Sequence, residues 1–119
     1  MRLTRCLLVL GLAGCALLAG CGSDEASPPS GAEPVVIEVS VENGAVTPNG
    51  ERVEVSTGQE VEFDITADAP GELHVHSSPE QSIDFDEGET SETITIDTPG
   101  TVDVELHEPA LIVVQLQVS

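Results

Sequence analysis

The chain has 119 residues, with 22 acidic side chains against three basic ones, and its formal net charge is −19 at pH 7. This balance excludes nucleic-acid binding, because contacts to phosphate need clustered lysine and arginine. The length allows one small domain. We expect no enzyme, since the sequence contains neither a glycine-rich phosphate loop nor a serine-nucleophile motif.

The first twenty residues have the layout of a signal peptide. Arg2 and Arg5 form a basic start, and fifteen uncharged residues follow that end at Gly20, directly before Cys21. The apolar run is too short for a membrane-spanning helix, which needs about 20 residues. We therefore predict that residues 1–20 are removed during export.

The sequence Leu-Ala-Gly-Cys at 18–21 resembles the cleavage site of bacterial lipoprotein precursors. That resemblance implies that Cys21 becomes the first residue and carries acyl chains, which anchor the protein to the extracytoplasmic face of the cell membrane. A second such pattern ends at Cys15, but cleavage there would leave an apolar stub on the mature chain, so we favour Cys21. The alternative is an ordinary secretory peptide with incidental cysteines.

The predicted mature chain starts with a linker. Residues 21–34 are rich in Ser, Pro, Gly and Ala without an apolar period, which predicts a lipidated N-terminus on a flexible tether. Only Arg52 then remains basic, and the mature side-chain charge is 1 − 22 = −21. All cysteines lie at or before Cys21, so the domain has no disulfide and depends on its own core. The acidity favours solubility, and attraction of cations is the alternative interpretation.

From residue 35 to 119, apolar and polar residues alternate with a period of two, which is typical of strands. Turn signals such as Asn43-Gly44 separate the segments, and the pattern predicts an all-β sandwich or barrel. We interpret the acidic segment 84–89 as a solvated hairpin loop, because it lacks the spacing of a calcium-binding EF-hand, and weak contact with Ca²⁺ is the alternative. Seven segments show the alternation: 35–41, 53–55, 61–65, 73–75, 94–96, 102–106 and 111–118.

The three histidines are the candidate metal ligands. His74 and His76 lie two residues apart on a predicted strand, so they share a face with Cα atoms about 6.6 Å apart. His107 ends another strand and would join them if the two strand ends meet at one edge of the sandwich. Imidazole binds copper and zinc in its neutral form, so affinity should fall below about pH 6.5. Three glutamates could accept the ring N–H groups: Glu72, Glu105 and Glu108.

Three stretches resemble a cupredoxin-like domain, and the resemblance covers most of residues 35–119. They are ELHVHSS at 72–78, TPGTVDVELHE at 98–108 and LIVVQLQV at 111–118. The sequence is most similar to the cupredoxin-like lipoproteins of actinobacteria and to the cupredoxin-like domain of EfeO-type iron-uptake proteins. The resemblance implies a Greek-key β-sandwich of about seven to eight strands. It also implies a first copper ligand at His74 and further ligands, including a cysteine, in the loop after the Pro-Gly strand.

The chain departs from that pattern at the copper ligands. No cysteine follows residue 21 and the only methionine is Met1, so a blue-copper centre, which needs a thiolate, is ruled out. We predict a non-enzymatic, lipid-anchored envelope module that binds copper or another divalent metal ion through His74, His76 and His107 for metal handling. The alternative is a metal-free interaction module in the cell envelope, with these histidines as ordinary polar residues. The sequence does not identify a protein partner.

Overall fold

The computed structural model describes residues 32–119, which form two β-sheets around one apolar core. The predicted signal peptide 1–20, both candidate lipidation sites Cys15 and Cys21, and the linker up to residue 31 lie outside the described residues. Among residues 32–119, no helix is long and apolar enough to cross a membrane. The strands are β1 Val35–Glu42, β2 Ala45–Thr47, β3 Glu51–Val55, β4 Glu60–Ala67, β5 Gly71–Val75, β6 Gln81–Phe85, β7 Gly88–Thr95, β8 Gly100–Leu106 and β9 Leu111–Val118.

The strand order confirms the predicted Greek-key β-sandwich. One sheet has the order β2-β1-β4-β7 and the other β3-β9-β8-β5-β6. β1 runs parallel to β4 and β3 parallel to β9, whereas the other neighbouring strands are antiparallel. The chain passes from one sheet to the other after β2, β3, β4, β6 and β7, whereas β1-β2, β5-β6 and β8-β9 are neighbours within one sheet.

The described part contains nine strands, compared with the seven to eight that were predicted. The alternation of apolar and polar residues does not predict β2, because this strand has three residues and only Val46 among them is buried. It pairs with β1 through the predicted turn at Asn43-Gly44, where both residues have positive φ, 52° and 73°. A tight hairpin turn needs this backbone conformation at both central positions.

The interpretation of residues 84–89 as a hairpin loop is wrong. Ile83 and Phe85 are buried, with 3% and 4% of their surfaces exposed, and β6 extends through Phe85. β7 then begins at Gly88 in the opposite sheet, so Asp86 and Glu87 connect two layers instead of two hairpin strands. The acidic composition suggested a loop, but two buried apolar side chains, Ile83 and Phe85, are enough to anchor β6 in the core.

A β-bulge explains the apolar run that closes the chain. The register between β8 and β9 shifts between Val104 and Glu105, because Val104 pairs with Val114 whereas Glu105 pairs with Ile112. Val113 is the additional residue, and it is fully buried like Val114. A bulge increases the local twist and re-aims neighbouring side chains. This one lies beside Glu105, on the outer face of the five-stranded sheet.

Gly71 allows the start of β5 to pack beneath the ring of Phe85, its partner across the sheet. A Cβ atom at residue 71 would lie 2.5 Å from Cζ and 2.9 Å from Cε2 of that ring. Phe85 is buried and cannot turn outward without exposing its ring. We therefore expect Gly71→Ala to lower the free energy of unfolding by about 1–3 kcal/mol, the usual cost of overpacking, measured by urea denaturation.

Phe85→Leu in the Gly71→Ala background provides the control, because a smaller side chain leaves room for the added methyl group. The two substitutions should then cost less together than the sum of their separate costs. A Gly71→Ala protein as stable as the parent would contradict the proposed packing.

Candidate metal site

His74 and His76 lie on the outer face of the five-stranded sheet. His74 is in β5 and His76 follows the end of that strand. Leu73 and Val75 are fully buried, so the alternating imidazoles point outward. The two rings stack with centroids 4.6 Å apart and planes inclined by 23°. The end of β5 therefore presents two imidazoles side by side.

The loop after His76 brings Glu80 to these rings. The hydroxyl of Ser77, a residue only 8% exposed, donates to the carbonyl of Pro79 at 2.7 Å. The side-chain amide of Gln81 donates to the Ser77 hydroxyl and to the carbonyl of Thr95, both at 3.1 Å. These bonds tie the loop to the end of β7 in the opposite sheet. The loop is therefore held in a defined position above the end of β5.

Glu80 approaches a nitrogen of each ring. Its Oε2 lies 3.3 Å from Nε2 of His74, and its Oε1 lies 3.8 Å from Nδ1 of His76. One ligand atom from each of the three residues lies within 4.8 Å of the other two. An ion with bonds of about 2.0–2.2 Å holds its donors within about 4 Å of one another. Small side-chain rotations would bring the three donors to that spacing.

Of the three glutamates that were predicted to accept ring N–H groups, Glu105 contacts an imidazole. Its Oε2 lies 3.0 Å from Nε2 of His76. Glu72 instead accepts a hydrogen bond from the hydroxyl of Ser82 at 3.1 Å. Glu108 lies in the turn between β8 and β9. His76 therefore has a carboxylate at each of its two ring nitrogens, Glu105 at Nε2 and Glu80 at Nδ1.

His107 does not join this group. The expectation that the two strand ends meet at one edge is not met, because β5 and β8 are antiparallel and end at opposite sides of the sheet. The backbone N–H of His107 bonds to the carbonyl of Glu72, whereas that of His76 bonds to Asp103. The rung of His107 therefore lies four residues from that of His76 and two from that of His74, about 13 Å and 6.6 Å along the strand. His107 is not in the group of described residues whose ligand atoms converge.

Sequence reasoning missed Glu80. The signal was available as two histidines and a glutamate in the spacing His-x-His-x-x-x-Glu. The glutamate lies beyond the strand, however, and its position depends on how the loop folds back. The hydrogen bonds of Ser77 and Gln81 hold the loop in the position that returns Glu80 to the imidazoles, and the sequence pattern does not reveal them.

The donor set consists of two imidazole nitrogens and one carboxylate. Imidazole suits zinc, copper, iron and nickel, and a site of two histidines and one carboxylate leaves coordination positions open. A blue-copper centre does not fit, because it needs a cysteine thiolate and the sequence has no cysteine after residue 21. These three residues could therefore hold a divalent ion.

Comparison with solved structures shows likeness to amicyanin. A methionine-to-alanine variant of amicyanin in its Cu(I) form has a TM-score of 0.51 and 15% identity, covering 74% of this chain and 85% of that chain. A reduced tryptophan-to-tyrosine variant has a TM-score of 0.51 and 13% identity, covering 71% and 82%. No family model and no curated protein matches the chain.

Identities at this level establish the fold alone. The similarity to the amicyanin structures and the strand order of the two sheets both support the predicted all-β fold. The His74, His76 and Glu80 group lies at the opposite end of β5 from the loop after β8, where the cupredoxin resemblance expects most copper ligands. The described residues therefore have a cupredoxin-like fold, with a candidate metal site at the end of β5.

Proposed function

We propose that this protein is a non-enzymatic module that binds a divalent transition-metal ion, copper or another, for metal handling at the cell envelope. The observation that carries the proposal is the convergence of His74, His76 and Glu80, whose ligand atoms lie within 4.8 Å of one another. The sequence resemblance to cupredoxin-like lipoproteins and to the EfeO-type domain supports the same role.

The exposure of the site favours a carrier over a structural role. The side chains of His74, His76 and Glu80 are 31%, 40% and 65% exposed. Structural zinc sites have four protein ligands, whereas three ligands leave a position for water or for a ligand of another molecule. An ion held here is accessible from solvent and can be passed on.

The charge of the domain supports capture of cations. With 22 acidic side chains and Arg52 as the only basic one after the predicted cleavage site, the surface raises the local concentration of cations. The protein carries no thiolate in this region, so a bound Cu(II) ion would be coordinated by nitrogen and oxygen and would lack blue-copper character.

The sequence before the domain supports attachment to a membrane. Cleavage before Cys21 and acylation of that residue would place the domain on the extracytoplasmic face, at the end of a tether that reaches to residue 34. Acyl chains are the anchor that fits this charge, because a strongly acidic domain is repelled by anionic headgroups.

One observation favours the metal-free alternative, an envelope interaction module. His76 contacts Glu105 at 3.0 Å and His74 contacts Glu80 at 3.3 Å, so each imidazole has a carboxylate partner within the protein. The same four side chains could thus act as a polar cluster that holds the loop onto β5. Metal titration separates the two functions.

Titration of residues 22–119, which contain every described strand and are expressed without a histidine tag, should show one equivalent of Cu(II) or Zn(II) bound. Removing a hydrogen-bond partner of a metal ligand usually weakens binding by about 10- to 100-fold. Removing a ligand itself should cost more, so we expect His74→Ala, His76→Ala and Glu80→Ala each to weaken binding by more than this. Affinity should fall as pH is lowered, because protons compete for the imidazoles. Calorimetry measures the affinity, and the nitrogen hyperfine pattern in EPR counts the bound imidazoles.

His107→Ala is the matched control, since it removes an exposed histidine of the same sheet that lies outside the group. It should leave both the affinity and the EPR pattern unchanged. Equal binding by the parent and by the His74→Ala/His76→Ala double variant would refute the metal site and favour the interaction module.

Lipidation is tested in the full-length precursor with a labelled fatty acid. Cys21→Ser should abolish incorporation of the label and release the protein from the membrane fraction, because the acylated sulfur is lost. Cys15→Ser is the control and should leave labelling intact. The reverse result would move the lipidation site to Cys15, and an unlabelled parent protein would support an ordinary secretory peptide.

A further inference from the structure

The two imidazoles present different nitrogens to Glu80. His74 turns its Nε2 toward this carboxylate, whereas His76 turns its Nδ1 toward it and its Nε2 toward Glu105. A neutral imidazole carries a proton on one nitrogen and a free electron pair on the other, and only the latter binds a metal. The hydrogen bond at one nitrogen therefore decides which nitrogen is available to an ion.

We propose that Glu105 is a positioning residue that holds neutral His76 in the tautomer protonated at Nε2, which leaves Nδ1 free for the metal. An ionised carboxylate only accepts hydrogen bonds, so the contact of 3.0 Å between Glu105 and Nε2 requires the proton on that nitrogen. The contact between Nδ1 and Glu80 is longer, 3.8 Å, and does not compete for it. The role at the metal rests on the proposed function above.

The fold makes Glu105 the fixed carboxylate of the pair. It lies within β8, where it is the direct partner of His74 across the sheet, and its side chain is 33% exposed. Glu80 lies in a loop, and its side chain is 65% exposed. Glu105 also lies beside the β-bulge at Val113, a feature that re-aims neighbouring side chains. It stays outside the group that could hold the ion, which contains Glu80 as its only carboxylate among the described residues.

The two histidines consequently differ in whether the ring nitrogen that faces Glu80 carries a proton. His76 has its free nitrogen on the side of Glu80 before the ion arrives. His74 places Nε2 at 3.3 Å from Glu80, and this contact requires a proton on Nε2 when the ring is neutral. An ion that binds Nε2 of His74 therefore requires the proton of this ring to lie on Nδ1. The ion then contacts Glu80 where the N–H group did before. Metal binding should change the tautomer of His74 and leave that of His76 unchanged.

The first test is nitrogen NMR of the metal-free protein, recorded at about pH 8. The two ring nitrogens of His76 should show the pattern of a proton on Nε2 in the parent protein. Glu105→Ala should shift this ring to a mixture of tautomers. A parent protein with the His76 proton on Nδ1, or a Glu105→Ala protein with an unchanged pattern, would overturn the inference whether or not a metal binds.

The second test is Zn(II) affinity measured by calorimetry. Glu105→Ala should weaken binding by about 10- to 100-fold, the usual effect of removing a hydrogen-bond partner of a ligating histidine, while two imidazoles remain bound in the Cu(II) EPR spectrum. Glu105→Gln keeps an acceptor for the Nε2 proton and should weaken binding less than Glu105→Ala does. Equal affinity of Glu105→Ala and the parent would overturn the positioning role and leave the proposed metal site standing.

Asp103→Asn is the matched control for charge. Asp103 lies two residues away on the same face of β8, and its side chain accepts from Gln115 at 2.9 Å. This variant loses the same negative charge as Glu105→Gln and should keep the His76 tautomer and most of the Zn(II) affinity. A loss as large as that of Glu105→Ala would assign the effect to charge and overturn the inference. If the parent binds neither Zn(II) nor Cu(II), the proposed function fails, and the NMR test still decides the tautomer.

Discussion

The antiparallel pairing of β5 with β8 determines which side chains can meet on the outer face of the sheet. Its register places His74 opposite Glu105, and the backbone bond from His76 to Asp103 extends the ladder beyond the end of β5. The same register carries His107 to the other end of the strand pair. A shift of one residue would turn the imidazoles into the core. The buried Leu73 and Val75 resist such a shift, so the packing of the core also fixes the candidate site.

The sequence predicted the strands well where apolar and polar residues alternate over a long segment. It predicted the candidate site only in part. β1, β4, β8 and β9 have clear apolar faces, whereas β2 and β6 are short and the end of β6 overlaps the acidic segment 84–89. The pairing of His74 and His76 follows from a period of two. The exclusion of His107 needs the direction of β8 relative to β5, and the arrival of Glu80 needs the path of a loop. Both are long-range facts, because they depend on which strands become neighbours.

The candidate site offers two imidazoles and one carboxylate as donors. The loop after β8 contains no cysteine, and it lies at the opposite end of β5 from the two stacked imidazoles. The donors at the candidate site come instead from the end of one strand and the loop that follows it. The three candidate ligands lie within seven consecutive residues, His74 to Glu80, but the loop that returns Glu80 is tied to Thr95 of the opposite sheet, so the group depends on the packed sandwich.

The contacts among the candidate ligands limit how tightly an ion could be held. Glu80 already accepts from His74, so an ion gains its bonds to both residues and removes one hydrogen bond. The exposed side chains also lose rotational freedom when they are fixed around an ion. Both costs lower the affinity below that of a closed four-ligand site. An acidic surface offsets part of the loss, since it accelerates capture without slowing release to the same degree. Fast capture with modest affinity is the property that a protein needs if it is to pass metal ions on.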